Sequence, residues 1–297
     1  MEKKRFILPL CFLVIISLIL GLTSFYKDKY YKLPTLNIFM LHMVTESMPD
    51  DRSLDTLYIT DDMLRKYCEY FSKDYKIVSL DEAYDIIKNE KVVENPNLLA
   101  FTFDDGYDNN YTLAYPILKE LGIKANINVI ARYTNENYPG YLTWDELKEM
   151  SDSGLITVGS HTYDSHYYTL TSSGDERPVL SALLPNESKE DREHRIFSDL
   201  ELADDMISEK INKNLTVMAY PYGVPPFDLV DEIKDKFGYE IQLMVRPGVN
   251  KNLEAFRELK RFTVNGREEP ESLELTMKKY KGIDFLKWLK IAEYEKK

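Results

Sequence analysis

Short apolar segments alternate with amphipathic ones from about residue 36 onward, and this alternation predicts the fold. Eight short segments are rich in β-branched and aromatic residues, which is typical of strands. Several of the stretches between them carry apolar residues at helical spacing, bounded by capping residues. The predicted strands are Leu36–Leu41, Lys76–Leu80, Leu98–Phe103, Ala125–Ile130, Ile156–Ser160, Leu215–Tyr220, Ile241–Val245 and Arg261–Val264.

The predicted helices begin at recognisable capping residues. Thr60 precedes Asp61–Phe71, and Thr143 with Glu146 forms a capping box that opens a helix to Met150. Strands that alternate with helices imply parallel pairing through right-handed crossovers. About seven or eight strands favour a distorted (β/α) barrel. The alternative, an open doubly wound sheet, would normally carry a glycine-rich phosphate loop, and the sequence has none. Further helices are predicted at Asp81–Asn89, Asn110–Leu121, Lys189–Lys213 and Glu271–Lys297.

An uncharged apolar run from Phe6 to Phe25 precedes the alternating region. Its length matches a bilayer hydrocarbon core of about 30 Å. We therefore predict an N-terminal transmembrane or signal helix at residues 1–25, retained as a membrane anchor. A cleaved secretory signal is the alternative. A linker at 26–35, a main domain at 36–270 and a C-terminal helix and tail at 271–297 complete the predicted organisation.

The charge balance argues against one large class of partners. The formal net charge is -12, and no basic stripe follows the N-terminal segment. Nucleic acid is therefore not expected as a partner, because phosphate binding needs clustered Lys and Arg. Cys68 is the only cysteine beyond the apolar run, so the main domain contains no internal disulfide. No segment predicts a protein partner.

Four predicted strands end in unusual polar residues. The carboxyl ends of parallel strands meet at one edge of a barrel, which is where barrel enzymes build their active sites. We therefore expect these polar residues to lie close together. They are His42 after Leu36–Leu41, Asp104-Asp105-Gly106 after Leu98–Phe103, His161 and His166 after Ile156–Ser160, and Pro221-Tyr222-Gly223 after Leu215–Tyr220.

The residue types at these strand ends suggest metal chemistry. The adjacent carboxylates of Asp104 and Asp105 repel each other unless a cation or a hydrogen-bond donor balances them. Two imidazoles and one carboxylate could bind a metal and leave positions open for water, as catalytic metal sites require. The residues alone leave two alternatives open, namely a surface Asp-Asp-Gly turn and a solvated pair, His161 and His166. His42 is a candidate general acid at the same edge.

These motifs resemble those of the polysaccharide deacetylase family, the NodB-type carbohydrate esterases, over about residues 36–264. Thr102-Phe103-Asp104-Asp105-Gly106 is similar to the first motif, in which the first Asp is the general base and the second a metal ligand. Ser160-His161-Thr162 with His166 is similar to the second motif, which supplies two histidine ligands. Ala219-Tyr220-Pro221-Tyr222-Gly223 is similar to the third, whose aromatic residue offers its backbone N–H.

The sequence departs from the family pattern in three places. The two histidines are five residues apart rather than four, and Ala219 stands where the family usually has Arg. The Leu-x-His motif that the family carries near its C-terminus is missing. His42, near the N-terminus, would supply the catalytic histidine of that motif through a permuted strand order. All three departures are similar to the branch that deacetylates poly-β-1,6-N-acetylglucosamine, a biofilm exopolysaccharide. Arg246 is a candidate for the missing arginine, and the fourth motif has no identified counterpart.

The resemblance implies metal-dependent N-deacetylation of an N-acetylglucosamine polysaccharide, carried out by residues 36–270. The expected metal ion is Zn²⁺, with Ni²⁺, Co²⁺ and Fe²⁺ as alternatives. The expected location is the cell membrane with the catalytic domain outside the cytoplasm, or secretion if the N-terminal segment is cleaved. The alternatives are a peptidoglycan or chitin-oligomer N-deacetylase and an inactive, membrane-anchored carbohydrate-binding protein. The implied residues are Asp104, His42 and Tyr222 for catalysis, Asp105, His161 and His166 for the metal, and Tyr222, Tyr220 and Tyr163 for substrate contact.

Overall fold

The structure, a computed structural model, describes residues 30–89, 91 and 93–294, together with positions 21, 24, 26 and 27. The apolar run that predicts an N-terminal transmembrane or signal helix lies almost entirely outside these residues. Among the helices that are described, none combines the length and the apolar character that crossing a membrane requires.

Parallel strands form the centre of the molecule. The main sheet has the order β11–β10–β7–β6–β5–β1–β12, and β4 adds to the edge of β5. Two small two-stranded sheets, β2–β3 and β8–β9, lie outside it. The strands are β1 (Thr35–Leu41), β2 (Met43–Thr45), β3 (Tyr58–Thr60), β4 (Lys76–Ile77), β5 (Asn97–Phe103), β6 (Ala125–Val129), β7 (Ile156–Ser160), β8 (Tyr168–Leu170), β9 (Glu176–Pro178), β10 (Val217–Ala219), β11 (Ile241–Leu243) and β12 (Phe262–Thr263).

The segment that ends in β12 closes the sheet into a barrel. Leu259 pairs in parallel with Leu243 of β11, and Phe262 pairs in parallel with Phe39 of β1. The two edges of the sheet are therefore joined through residues 259–263. This arrangement agrees with the predicted distorted (β/α) barrel and excludes the open, doubly wound sheet.

Helices connect most of the barrel strands, and their ends follow the capping residues in the sequence. Thr60, Ser79 and Thr143 each accept a hydrogen bond from the third backbone N–H of the helix that they open. Ser79 ends the strand predicted at Lys76–Leu80 after two paired residues. The helices are α1 (Asp61–Phe71), α2 (Leu80–Lys88), α3 (Tyr115–Leu121), α4 (Ala131–Asn135), α5 (Trp144–Asp152), α6 (Lys189–Ile211), α7 (Val230–Phe237) and α8 (Pro270–Tyr294).

The barrel strands alternate between two apolar layers. Leu36 and Ile38 of β1 face an inner cluster, and Phe39 and Leu41 face an outer cluster covered by the helices. This is the two-residue period of a strand buried on both faces. Helix α2 contributes its apolar side chains to the inner cluster, so it covers the end of the barrel where the strands begin. The opposite end is left for the polar side chains that follow the strands.

An aromatic cluster joins α1 to the outer face of the barrel. The ring of Phe71 is fully buried and lies 4.8 Å from the ring of Phe39 and 5.8 Å from that of Tyr67, measured between centroids. Phe39 in turn lies 5.4 Å from Phe101 of β5. The Phe39 ring meets the rings of Phe71 and Phe101 at 75° and 89°, which is the edge-to-face geometry that aromatic pairs favour.

The C-terminal helix and the segment predicted as a linker pack against each other. Tyr30 is fully buried, and its hydroxyl donates a hydrogen bond of 2.7 Å to Asp284 of α8. The Nζ atom of Lys251 lies 3.7 Å from the centroid of the Tyr30 ring and donates to the Tyr30 carbonyl. The segment around residue 30 is therefore docked on the barrel rather than fully solvated.

Removing the ring of Phe71 should unfold the protein more easily. We expect Phe71→Ala to lower the free energy of unfolding by about 3–5 kcal/mol, because the ring leaves a cavity between α1 and the sheet. Leu202→Ala is the control, since Leu202 is 44% exposed on α6 and should change stability by less than about 1 kcal/mol. Urea denaturation measures both. Equal losses in the two variants would show that the cluster contributes no special stability.

Candidate active site and metal centre

The structure brings the four polar strand ends together at one mouth of the barrel. The strands β1, β5, β6 and β7 run parallel and in register, so residues that follow them lie side by side. Asp104-Asp105 comes directly after β5, and His161 comes directly after β7. His166 returns to the same point through a short loop, and Tyr222 follows β10.

Asp105, His161 and His166 form a cluster that could hold a metal ion. The Nε2 atoms of both histidines lie 3.3 Å from Oδ1 of Asp105. Ligands at about 2.0–2.2 Å from a tetrahedral ion are separated by about 3.3–3.6 Å. The Oδ1 atom of Asp105 is buried and has no hydrogen-bond partner in the part of the chain that is described. An ion at this point would satisfy that oxygen, so the three residues fit a divalent cation.

The environment of each histidine favours Nε2 as the ligand atom. His161 is buried, and its Nδ1 lies 2.6 Å from the carbonyl oxygen of Ala219, so the Nδ1 proton is donated there. This leaves the Nε2 lone pair free to bind a metal, as carbonyl-oriented histidine ligands do. Burial and the neighbouring His161 lower the pKa of His166 to about 4, so His166 is a neutral imidazole at pH 7.

Asp104 lies inside the barrel beside the cluster and is paired with Arg261. Two guanidinium nitrogens of Arg261 donate to the two carboxylate oxygens of Asp104, at 2.8 Å and 2.7 Å. Asn128 of β6 donates a third hydrogen bond, at 2.7 Å. Burial alone would raise the pKa of Asp104, but the Arg261 charge outweighs burial and holds this pKa well below its usual range. Asp104 is therefore ionised.

The arginine that pairs with Asp104 is Arg261, not Arg246. The family usually has an arginine at position 219, where this chain has alanine. Arg246 is mostly exposed and pairs with Glu258 at 2.7 Å, so the prediction for Arg246 is wrong. Arg261 is fully buried, and its Nε donates to the carbonyl of Met244. The residue lies at the start of a predicted strand, and its contact with Asp104 spans 157 positions of sequence. Only the closure of the barrel makes that contact.

His42 lies at the end of β1, and two asparagines hold the backbone around it. Asn110 donates to the His42 carbonyl at 2.8 Å, and Asn109 accepts from the Val44 N–H at 2.9 Å. The Nδ1 atom of His42 is buried without a hydrogen-bond partner among the described residues. The imidazole is partly exposed to the barrel mouth. Neither asparagine was identified as a site residue from the sequence, because the contact of Asn110 with His42 spans 68 positions and Asn110 was predicted only as the start of a helix.

Backbone strain is concentrated at the same place. Asp105, Thr162 and Tyr222 have φ angles of 74°, 74° and 57°, in the left-handed region that non-glycine residues rarely adopt. Each such residue costs about 1–3 kcal/mol and persists only where the surroundings enforce it. The other non-glycine residues with positive φ in the described part of the chain are asparagines, which tolerate this conformation. The strain therefore marks the loops that carry the cluster.

The three tyrosines predicted to contact substrate lie in different environments. The ring of Tyr222 is partly exposed and lies 4.6 Å from the ring of His166. Tyr220 is fully buried and its hydroxyl hydrogen-bonds Gln242, so its side chain does not reach the barrel mouth. The prediction for Tyr220 is wrong because Tyr220 points to the outer hydrophobic cluster, on the side opposite to its neighbour Ala219, which faces the inner cluster. Tyr163 packs against the outer hydrophobic cluster.

Asp199 of α6 fixes the loop between the two histidines. Its carboxylate accepts from the backbone N–H groups of Tyr163 and Asp164, at 2.9 Å and 3.0 Å, and from the hydroxyl of Ser165 at 2.9 Å. On the other side, the backbone N–H of Arg132 donates to the Tyr163 carbonyl. These bonds set the path of the five-residue step from one histidine to the next. In the sequence Asp199 is one of many acidic residues on a charged helix.

Loss of the Asp199 carboxylate should weaken metal binding. We expect Asp199→Ala to lower the affinity for Zn²⁺ by about 10–100-fold, because the loop that presents His166 loses three hydrogen bonds. Asp204→Ala is the matched control, since Asp204 lies on the same helix but beside Tyr239. Competition with a chromophoric zinc indicator measures both. An unchanged affinity in Asp199→Ala would show that the loop holds its shape without this carboxylate.

Comparisons with known proteins bear on this site. Residues 91–242, about half of the chain, match the family profile described as polysaccharide deacetylase. Over 177 residues the chain is 28% identical to the poly-beta-1,6-N-acetyl-D-glucosamine N-deacetylase of Staphylococcus aureus (strain MRSA252). This alignment covers 58% of this chain and 56% of that protein. The chain spans between a third and just over half of the length of the curated relatives considered.

Two solved structures illustrate the shared fold. The structure of IcaB from Ammonifex degensii matches with a TM-score of 0.66 and 27% identity, over 80% of this chain and 95% of that one. A de-N-acetylase from Aggregatibacter actinomycetemcomitans matches with a TM-score of 0.70 and 21% identity, over 81% and 98% of the two chains. The barrel, the clustered Asp and His residues at its mouth and the family profile agree: the chain belongs to the polysaccharide deacetylase family.

Proposed function

We propose that this protein is a metal-dependent N-deacetylase of an N-acetylglucosamine polysaccharide, poly-β-1,6-N-acetylglucosamine in particular. The observation that carries the proposal is the cluster of Asp105, His161 and His166 beside the ionised Asp104. Similar proteins of Staphylococcus aureus and Escherichia coli are named poly-beta-1,6-N-acetyl-D-glucosamine N-deacetylases, which supports this choice of polymer. The three departures of this sequence from the common family motifs support the same branch.

Asp105, His161 and His166 would hold the ion, for which we propose Zn²⁺, with Ni²⁺, Co²⁺ and Fe²⁺ as alternatives. When bound, such an ion polarises the acetamide carbonyl and makes a nearby water more acidic. The second effect matters here because Arg261 keeps the pKa of Asp104 low, which makes Asp104 a weak base. A weak base can accept a proton from water only if that water is itself acidified.

The remaining residues then have roles set by their positions. Asp104 accepts a proton from water as the water oxygen bonds to the acetamide carbon. The backbone N–H of Tyr222 donates to the oxyanion that forms, and the left-handed turn at Tyr222 supports this role. His42 donates a proton to the sugar nitrogen as the carbon–nitrogen bond breaks. The products are acetate and a free amino sugar.

We also propose that the enzyme acts outside the cytoplasm, on a polymer of the biofilm matrix. The apolar run from Phe6 to Phe25, with basic residues before it, supports a membrane anchor. An anchored enzyme would remain close to a polymer as it leaves the cell. Labelled cell fractions would test this location: recovery of the full-length chain in the cytoplasmic fraction would contradict it.

Acetate release from a β-1,6-linked N-acetylglucosamine pentamer tests the activity. We expect release by the zinc-loaded enzyme, loss after dipicolinate treatment and recovery on adding Zn²⁺, because the proposed reaction needs the ion to acidify the attacking water. Asp104→Asn should bind zinc normally but release acetate about 10²–10⁴-fold more slowly, since it removes the proton acceptor. Activity that survives chelation, or near-normal turnover in Asp104→Asn, would contradict the mechanism.

Replacement of Arg261 should affect both stability and catalysis. We expect Arg261→Met to lower the free energy of unfolding by about 3–5 kcal/mol, because it leaves the Asp104 carboxylate buried and unpaired. The pKa of Asp104 should rise, so activity should fall and its acidic limb should move to higher pH. Arg246→Met is the matched control and should change neither property. Urea denaturation and the pH profile of acetate release would distinguish them, and equal effects would contradict the assignment of Arg261.

A further inference from the structure

A hairpin carries exposed apolar side chains and lies in sequence between α6 and the loop of residues 161–166, which we call the metal loop. It consists of β8 and β9, which pair antiparallel. Its base is fixed because the Val179 N–H donates to the Tyr167 carbonyl, and Arg195 of α6 donates to the carbonyls of Val179 and Ala182, at 3.0 Å and 2.9 Å. The hairpin is therefore an ordered part of the fold, and its exposed side chains occupy defined positions.

The two faces of the hairpin differ in chemistry. Tyr168 pairs with Pro178 and Leu170 pairs with Glu176, and directly paired residues share a face. This face is apolar except for the carboxylate at its far end. The other face carries Thr169 and Arg177. Tyr168 and Leu170 are 53% and 56% exposed, so the described part of the protein does not cover the apolar face.

The apolar face continues directly from the active site. The ring of Tyr168 lies 4.5 Å from the ring of Tyr222, and Tyr222 lies 4.6 Å from His166. Leu170 lies two residues further along the strand, which adds about 6–7 Å. An apolar track therefore runs from the metal ligands along β8 and away from the barrel mouth. Its position beside the reacting group makes the substrate polymer the natural occupant.

Sugar rings suit such a track, because their C–H faces are apolar and stack on aromatic rings, while their hydroxyl groups remain in water. We propose that the apolar face of the hairpin binds the sugar units next to the one being deacetylated, so that the enzyme selects a polymer over a single acetylated group. This inference rests on the proposed deacetylase function and adds a binding surface outside the catalytic residues. The sugar units bound there are neutral, N-acetylated units of the same chain.

Kinetics on long and short substrates test this surface in the zinc-loaded, full-length protein. The long substrate is the β-1,6-linked N-acetylglucosamine pentamer, and the short one is a small aryl acetate that carries no sugar. We expect Tyr168→Ala and Leu170→Ser each to lower the ratio of kcat/KM for the pentamer to kcat/KM for the aryl acetate by about three- to tenfold. This is the size expected for one lost aromatic or apolar contact.

Thr169→Ala is the matched control for these variants. Thr169 lies in the same strand and pairs with Arg177 on the other face, so its loss should leave the ratio unchanged. An unchanged ratio in both Tyr168→Ala and Leu170→Ser would overturn the inference, and so would an equal fall in Thr169→Ala. The inference would also be wrong if the two variants no longer sedimented with anionic lipid vesicles while their ratio of kcat/KM values stayed unchanged. That result would show that the apolar face contacts lipid.

The outcome separates this inference from the proposed function. A wild-type enzyme that releases acetate from neither substrate contradicts the deacetylase activity itself. A wild-type enzyme that releases acetate from both, with a ratio unaffected by Tyr168→Ala and Leu170→Ser, leaves the activity in place and removes only the hairpin surface.

Discussion

The buried ion pair between Arg261 and Asp104 is the constraint on which the rest of the site depends. A carboxylate inside a barrel is strongly disfavoured unless a charge or several donors balance it. Here both oxygens are bound by one planar guanidinium, which also hydrogen-bonds the Met244 carbonyl. The pair fixes the orientation of Asp104, and the adjacent Asp105 then points to the two histidines. The pair therefore positions the Asp104–Asp105 side of the cluster, while other contacts hold the two histidines.

The sequence was sufficient for the barrel and for the cluster at its mouth, because parallel strands bring their carboxyl ends to one edge whatever the loops do. It was insufficient where a residue acts through distant contacts. Arg261 meets Asp104 only through closure of the barrel, and Asp199 resembles its acidic neighbours until α6 packs on the metal loop. Tyr220 was misjudged because the motif was interpreted as a unit, although Tyr220 is fully buried and only Tyr222 lies beside His166.

The loops of the site combine strain with dense support. Asp105, Thr162 and Tyr222 adopt left-handed backbone conformations. Around them, Asp199 binds the metal loop from α6, and the Arg132 backbone binds it from α4. This support makes the ligand geometry a property of the folded protein rather than of the ion. The fold therefore presents Asp105, His161 and His166 close to the spacing that a tetrahedral ion needs.

The segment that closes the barrel carries Arg261, and this has a consequence for biosynthesis. Asp104 is translated early, whereas Arg261 follows 157 residues later and reaches it only when residues 259–263 join β11 to β1. A nascent chain that still lacks this segment carries a carboxylate without its partner. The buried ion pair therefore forms only when the barrel closes, after residues 259–263 have been translated.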